Sequence, residues 1–584
     1  MTGMNDEKLA HVRHTLAHLL AQVVKDQYPN AHLTLGPAVD NGFYYDIDFG
    51  TEKISDADLA KIEKYMKKSL PKWTEFTHKE VSKDEALALF SGNQYKIELI
   101  NEIADRGETI TLYTCGGFTD LCRGGHAENP AKEISPDSFK LDRVAGAYWR
   151  GDEKNPMLTR IYGLAFPTKE ELDAYILQQE EAKKRDHRKL GREMDLFTFS
   201  DLVGVGMPLF TPKGNIVREE IIKFSRELND ALGFGEVHTP NINKGELFKI
   251  SGHYDKYKED MLSVTSQYVS DEMFLKPMNC PQHTQIYASK PRSYRDLPIR
   301  YSDFAVLYRD ERPGEMSGLT RLRAFSQDDG HIFCREDQIE SEIEHVLEAI
   351  EKALAVYNVE YWMRLSLRDP NKKEKYLGED AVWEKSQTIM KKLLEEKKIP
   401  HKDAEGEAAF YGPKIDIMAV DALGREWQIS TIQLDFNQPK RFELEFTDSD
   451  GLRKTPVMIH RALIGSPDRF MGILLEHYAG NFPTWLAPIQ VAIVPVRENH
   501  DEGAKEIAKK LKTANIRVEI ISSNDSLGKR IHAAKAMKTP YTIVLGDKEI
   551  ESGNLTIEKR DGTKVEMGTE EFIQTVSAEI KERK

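Results

Sequence analysis

The stretch RYSDFAVLYRDERPGEMSGLTRLRAFSQDDGHIFC, Arg300 to Cys334, decides how the chain is read. Two strand-forming runs flank a loop at Pro313 to Gly318, the pattern of a hairpin with a long connection. Side chains of equal parity share one face of a strand. In the second arm one face carries Arg321, Arg323, Phe325, Gln327, Asp329 and His331. The other carries Leu322, Ala324, Ser326, Asp328 and Gly330. The first face runs from cations through an aromatic ring to an amide, a carboxylate and an imidazole, a series that a purely structural strand does not need. The planar fork of a guanidinium donates to two phosphate oxygens at once. A phenyl ring stacks on a base, and a carboxylate holds an ammonium group. Arg309 and Glu311 give the first arm the same character. The competing reading is a solvated sheet face laced with ion pairs.

Outward from this hairpin the chain divides into four parts: 1–166, 167–192, 193–488 and 489–584. The first opens on a helix pattern from Leu9 to Gln27, with Val12, Leu16, Leu19, Leu20 and Val23 as one apolar stripe. Asp40-Asn41-Gly42 predicts a turn into the aromatic strand Phe43 to Ile47. Thr168 and Glu171 fit a capping box before a charged run that reads as a solvated connecting helix. The third part mixes amphipathic helices, Ile216 to Leu232 and Ile339 to Val356, with successive strands from Ala409 to Val457. That order predicts an antiparallel sheet flanked by helices. The last part alternates strand and helix from QVAIVPV onward, a compact α/β domain. The expected class is therefore multidomain, α+β and α/β.

Bulk properties narrow the function. A chain of 584 residues with 40% hydrophobic and 30% charged residues has an ordinary globular composition. The apolar runs are too short for a membrane span, and the polar start lacks the basic and apolar regions of a secretory signal. The cytoplasm is the expected location. Four cysteines are too few for a disulfide scaffold, and none forms a CxxC pair. A net charge of −14 argues against broad DNA binding but leaves room for one RNA held at local patches.

Two motifs make the resemblance specific. Tyr308-Arg309-Asp310-Glu311 resembles motif 2 of class II aminoacyl-tRNA synthetases, and Gly465-Ser466-Pro467-Asp468-Arg469-Phe470 resembles motif 3. The helix Ile216 to Leu232 stands where motif 1 forms the homodimer contact of that class. PMNC at Pro277 to Cys280, RDLPIR, SQDDGHIF and VMIHRA resemble the threonyl-tRNA synthetases in particular, over almost the whole chain. The likeness is to the bacterial type without its usual extra N-terminal domain. It implies an N-terminal editing domain, a linker helix, a class II catalytic core on an antiparallel sheet and a C-terminal anticodon-binding domain. It implies ATP, L-threonine and tRNA(Thr) as partners, with neither membrane nor DNA.

By that likeness Arg309 holds the α-phosphate of ATP, Glu311 the adenine amino group, and Arg321 and Arg469 the outer phosphates. Phe325 stacks on adenine, and magnesium accompanies the nucleotide. Local physics adds support at Arg469. Ser466 is a good N-cap and Pro467 a good first helical residue, which puts Arg469 in a first turn that favours anions. Cys280, His331 and His460 are implied ligands of one zinc ion with an open fourth position. Asp329, Gln327, Tyr411 and Gln433 complete the threonine pocket, and His253 assists transfer to the ribose. Zinc that demands a hydroxyl rejects valine, but not serine. Losing one methyl costs only about 1–3 kcal/mol, so a second site for errors is needed.

The first part offers one. His14 and His18 stand at i and i+4, on a helix face away from the Leu16 stripe. Cys122 and His126 repeat the four-residue spacing. Two histidines with a Cys and a His read locally as four zinc ligands. The family resemblance reads the same four as a hydrolytic pocket for seryl-tRNA, with Asp120 and Lys96 as helpers. The last part is nearly neutral, with 17 Lys and Arg against 16 Asp and Glu from Pro488 to Lys584, and Glu549 is its one candidate anticodon contact. Competing readings are a seryl or prolyl enzyme of the same class, or a non-catalytic RNA-binding paralogue.

Overall fold

The computed structural model describes residues 6–522 and 524–584. The chain forms two compact units, Met1–Glu180 and Glu181–Lys584. The division falls inside the helix Lys169–Arg185. Its capping contact is present, with Glu171 N donating to Thr168 Oγ1 at 3.2 Å. The charged run is not one solvated helix, however. Asp186 accepts from Arg188 N and starts a second helix, His187–Glu193, whose His187, Leu190 and Gly191 are buried.

In the first unit, the helix Asp6–Gln27 lies on an antiparallel sheet. The strand Gly42–Asp48 pairs with Met157–Ala165, which pairs with Phe139–Tyr148. Leu16, Leu19, Leu20 and Val23 pack with Phe43, Tyr45, Ile47, Phe139 and Ile161. Asn41 carries the turn at φ 64°, a conformation asparagine tolerates. The helix is more buried than its apolar stripe suggests, since Thr15, Ala17, His18 and Ala21 are also inside. A second, three-stranded sheet joins Thr77–Val81, Ile110–Cys115 and Phe118–Leu121.

The second unit is built on an eight-stranded sheet. Its inner strands, Ile299–Asp303, Asp329–Cys334, Val457–Ala462, Glu426–Asp435, Lys414–Val420 and Glu360–Leu367, are antiparallel in that order. The edge strands Gly235–Glu236 and His401–Glu405 add in parallel. The helices Pro212–Ala231, Ile339–Val356 and Pro467–His477 contribute to the core beneath it. The Arg300 to Cys334 hairpin forms in one register throughout, with Asp303 opposite Asp329 and Val306 opposite Ser326. Its arms belong to two sheets, because the ladder is interrupted at Gln327 and Asp328 and again at Phe304 and Ala305. Arg321 and Arg323 lie outside the strand Ala324–Ser326.

Residues 491–568 of this unit carry a smaller five-stranded sheet. Three parallel strands, Val518–Ile520, Val491–Pro495 and Tyr541–Leu545, are extended by an antiparallel hairpin, Asn554–Lys559 with Lys564–Gly568. The alternation in the sequence shows the parallel part. The hairpin's second arm is too polar to stand out.

Candidate active site

The loop after the strand Val306–Tyr308 and the segment before Ala324–Ser326 open a cavity of about 510 Å³. Arg309, Glu311, Arg321, Phe325, Gln327, Gln433 and Arg469 all line it. Arg323 does not: it donates to Glu311 O and sits 3.6 Å from Asp310. Arg309 stands over the Phe325 ring, 5.1 Å from its centroid. Ser466 caps the helix Pro467–His477 by accepting from Arg469 N at 3.3 Å. Burial, with Arg309 and Arg321 nearby, pulls the Arg469 guanidinium below its usual range. The Nε atoms of Arg309 and Arg469 are buried with no acceptor among the described residues. Guanidiniums whose Nε donors lack acceptors, beside Glu311 and Asp260 in the same lining, are suited to an anion. Arg321 is instead paired, with Glu311 at 2.7 Å and Glu315 at 2.8 Å.

The same cavity reaches the sheet at Gln433. Register explains what it meets there. His460 lies opposite both His331 and Gln433 on neighbouring strands. Cys280 opens the helix Cys280–Ala288, and its sulfur joins the two rings, all three ligand atoms lying within 4.8 Å of one another. His331 Nε2 and His460 Nδ1 are 3.1 Å apart. A tetrahedral zinc with bonds of about 2.0–2.3 Å spaces its ligands by roughly 3.3–3.8 Å, so this thiol and these imidazoles fit the ion. The far nitrogens are held. His460 Nε2 meets Asp435 Oδ2 at 3.0 Å, and His331 Nδ1 meets His283 Nδ1 at 2.7 Å. His283 in turn lies 4.0 Å from Asp303. Such outer partners aim metal-binding rings. His283, Asp303 and Asp435 escaped the sequence reading, because only the sheet's register brings them to the ligands.

The other expected residues gather around this cluster. Asp329 is buried, which raises its carboxyl, and accepts from Asn279 N at 3.3 Å. Tyr411 stacks on His460 at 4.5 Å and donates to Gln433 Oε1. His253 lies 3.7 Å from Cys280 Sγ, with Ser251 Oγ 2.8 Å from its Nδ1. Burial holds His253 down at about 3, hence neutral.

In the first unit, His14, His18, Cys122 and His126 converge, one ligand atom of each within 4.8 Å of the others. A cavity of about 340 Å³ opens beside them, lined in part by His14, His18, Tyr45, Lys96, Asp120 and Cys122. The loop that delivers His126 turns on Gly124 at φ 96°, where a side chain would strike the Tyr113 hydroxyl at 2.6 Å. His18 Nδ1 is 3.3 Å from Asp120, which also binds Lys96 at 2.5 Å and Tyr45 Oη at 2.6 Å. Burial opposes charge on His18, but hydrogen bonding to Asp120 and Cys122 wins and raises the ring to about 9. Burial would lift the Cys122 thiol. Hydrogen bonds to His126, His14 and His18 outweigh it and bring the thiol down to about 3. The result is a thiolate facing a protonated imidazole beside an open cavity.

Glu549 lies in the short helix Asp547–Ser552, where it accepts from Gly546 N at 3.0 Å and Thr556 Oγ1 at 2.8 Å.

Comparisons with known proteins identify the family. Residues 263–478 match the class II core domain of tRNA synthetases (G, H, P, S and T), and residues 490–579 an anticodon-binding domain. Residues 110–162 match the second additional domain of threonyl and alanyl tRNA synthetases. The chain is 47% identical to threonine–tRNA ligase of Thermotoga neapolitana, over 98% of this chain and 88% of the relative. It is 45% identical to that of Rubrobacter xylanophilus, over 100% and 91%. A crystal structure of the RNA-binding domain of threonyl-tRNA synthetase from Cryptosporidium parvum superposes with a TM-score of 0.64 at 36% identity, covering 67% of this chain and 98% of that one. Among the described residues, no helix is long and apolar enough to cross a membrane.

Proposed function

The chain belongs to the threonine–tRNA ligases, and on that premise we propose how its residues divide the work of charging tRNA(Thr). The enzyme is an ATP-dependent aminoacyl-tRNA synthetase that passes through threonyl-adenylate and edits seryl-tRNA(Thr). The carrying observation is one cavity lined by Arg309, Arg469 and Gln433, with Gln433 lying opposite His460 of the Cys280–His331–His460 cluster.

Phe325 supports the adenine ring, and Glu311 accepts from its amino group. Arg309 takes the α-phosphate, while Arg321 and Arg469 take the outer phosphates, with magnesium accompanying ATP. Arg321 must leave Glu311 and Glu315 to do so. That exchange is cheap, since half-exposed ion pairs contribute only about 0–1 kcal/mol. The threonine carboxylate attacks the α-phosphorus and pyrophosphate leaves. The chain contributes position and charge neutralisation rather than covalent chemistry.

Cys280, His331 and His460 would hold a zinc ion. When bound, it supplies an open position for the amino group and hydroxyl of threonine, which valine cannot fill. Asp329, Gln327, Tyr411 and Gln433 orient the amino acid, and neutral His253 is placed to assist transfer to the ribose. In the first unit, His14, His18, Cys122 and His126, with Asp120 and Lys96, hydrolyse seryl-tRNA. The four proposed parts are 1–166 for editing, 167–192 as linker, 193–488 for catalysis and 489–584 for the anticodon, with Glu549 as a candidate contact. Two copies pair through the helix Pro212–Ala231, and the enzyme works in the cytoplasm, where its substrates are.

ATP–pyrophosphate exchange with threonine, serine, valine and proline tests this reading, alongside zinc analysis of the wild type and Cys280→Ser. Threonine exchange, with about one zinc per chain lost together with activity in Cys280→Ser, is expected. Exchange with proline but not threonine, or full activity in a zinc-free Cys280→Ser, would overturn it.

A further inference from the structure

The segment Gly318 to Leu322 carries Arg321 to the cavity, and Leu319, Thr320, Arg321 and Leu322 all line it. Its anchor lies far away in sequence. Leu319 N donates to Nε2 of His187 at 2.9 Å. An accepting Nε2 leaves the ring proton on Nδ1, which donates to Glu476 Oε1 at 2.5 Å. His187 N donates to the same oxygen at 3.0 Å, so both ring nitrogens and the backbone are committed. The seat is close. A side chain on Gly318 would lie 2.1 Å from His187 Nε2, and one on Gly472 would crowd Leu319 Cβ at 3.1 Å while only touching His187 Cδ2 at 3.6 Å.

The contact continues beyond His187. Glu476 Oε2 pairs with Arg425, whose Nε donates to Asp421 at 2.8 Å. Trp427 Nε1 donates to the same Asp421 oxygen at 2.9 Å, and the Trp427 ring lies 5.9 Å from the Arg469 guanidinium. His187 is thus hydrogen-bonded to the segment that carries Arg321 and linked through Glu476, the half-buried Arg425, Asp421 and Trp427 toward Arg469. A metal-ligating role does not suit it, although Asp186, His187 and Glu476 are close enough to hold an ion, because neither ring nitrogen is left for one.

We propose that His187 is a positioning residue for ATP: as a neutral Nδ1–H tautomer it fixes the 318–322 segment so that Arg321 can meet the outer phosphates. The inference rests on the ATP-pocket reading above.

Three variants separate its parts. His187→Gln can still present an acceptor near Leu319 N. His187→Asn keeps a donor near Glu476 but brings no acceptor to Leu319 N, and Gly472→Ala crowds Leu319 Cβ while leaving every hydrogen-bonding group in place. In ATP–pyrophosphate exchange, His187→Asn and Gly472→Ala are expected to raise KM for ATP about tenfold. KM for threonine and zinc content stay unchanged, and His187→Gln stays near the wild type. Unchanged ATP KM in both His187→Asn and Gly472→Ala, with only a lower melting temperature, would sink the proposal. So would equal losses in KM for ATP and threonine. A wild-type protein inactive in threonine-dependent exchange would instead defeat the underlying reading.

Discussion

His460 shows how a single ring is oriented for the proposed zinc. Asp435 Oδ2 lies 3.0 Å from its Nε2, which leaves Nδ1 toward His331 and Cys280. Asp435 Oδ1 separately accepts from Asn437 N and Gln438 N, at 2.7 and 3.0 Å. Asp435→Asn can keep the second role and reverse the first, since an amide donates where the carboxylate accepted and drives the His460 proton onto Nδ1. Zinc affinity measured by chelator competition is expected to fall about 10–100-fold, with the circular dichroism spectrum unchanged. Undiminished affinity would remove His460 from the ligand set. Cys122 offers a second test at this scale. With its thiol brought down to about 3, it is a thiolate at every pH from about 5 to 8. Its alkylation by iodoacetamide, followed by peptide mass, is expected to be flat over that range. An ordinary thiol near 8.5 would gain about tenfold per pH unit. His18→Ala with His126→Ala is expected to restore the slope, and a steep wild-type profile would contradict the pairing.

At the scale of elements, the helix Pro212–Ala231 reaches the catalytic strands through a buried polar network. Arg461 and Asp328 are both fully buried and meet at 2.7 Å. Ser225 Oγ donates to Asp328 at 2.5 Å, and Arg461 donates to Asn229 at 2.5 Å. Removing one partner strands the other charge, at a cost of about 3–5 kcal/mol. Asp328→Ala is expected to lower the thermal midpoint by roughly 5 °C or more, and Asp328→Leu with Arg461→Met to recover most of it. An unshifted midpoint for the single variant would mean that the network holds nothing together. Parity in the sequence assigns Asp328 to the face away from Phe325, which is consistent with its bonding to this helix. Parity could not show the interruption at Gln327 and Asp328, because nothing local marks where a hairpin changes sheets. The helix start at Asp186 was also hidden. Asp is a good N-cap, but a run of charges on both sides gives no apolar stripe whose phase could reveal the break.

Across the whole molecule, the division into helical, antiparallel and alternating α/β parts was readable because each has its own hydrophobic period. Contacts made by the order of the large sheet were not. His331, His460 and Gln433 adjoin only because three strands lie side by side, and no spacing within any one strand encodes that. Quoted motifs resembling a known family supplied those ligands; His283, Asp303, Asp435 and His187, outside that resemblance, went unseen. The two units carry sites of different character, an arginine-lined pocket in one and a cysteine–histidine cluster beside a cavity in the other, to which the proposed function assigns the making and the breaking of an ester. Serine differs from threonine by one methyl, so the synthetic pocket alone discriminates by only about 10–200-fold. His18→Ala or Cys122→Ala is therefore expected to leave threonine-dependent pyrophosphate exchange within about twofold of the wild type. In charging assays with labelled serine, the wild type accumulates no seryl-tRNA(Thr), whereas the variants accumulate it. Seryl-tRNA(Thr) supplied from outside should persist with the variants and disappear with the wild type. If the variants clear it as fast as the wild type, hydrolysis resides elsewhere and the cluster serves another purpose. If threonine exchange also collapses, the two chemistries are not separable as their placement in two units implies.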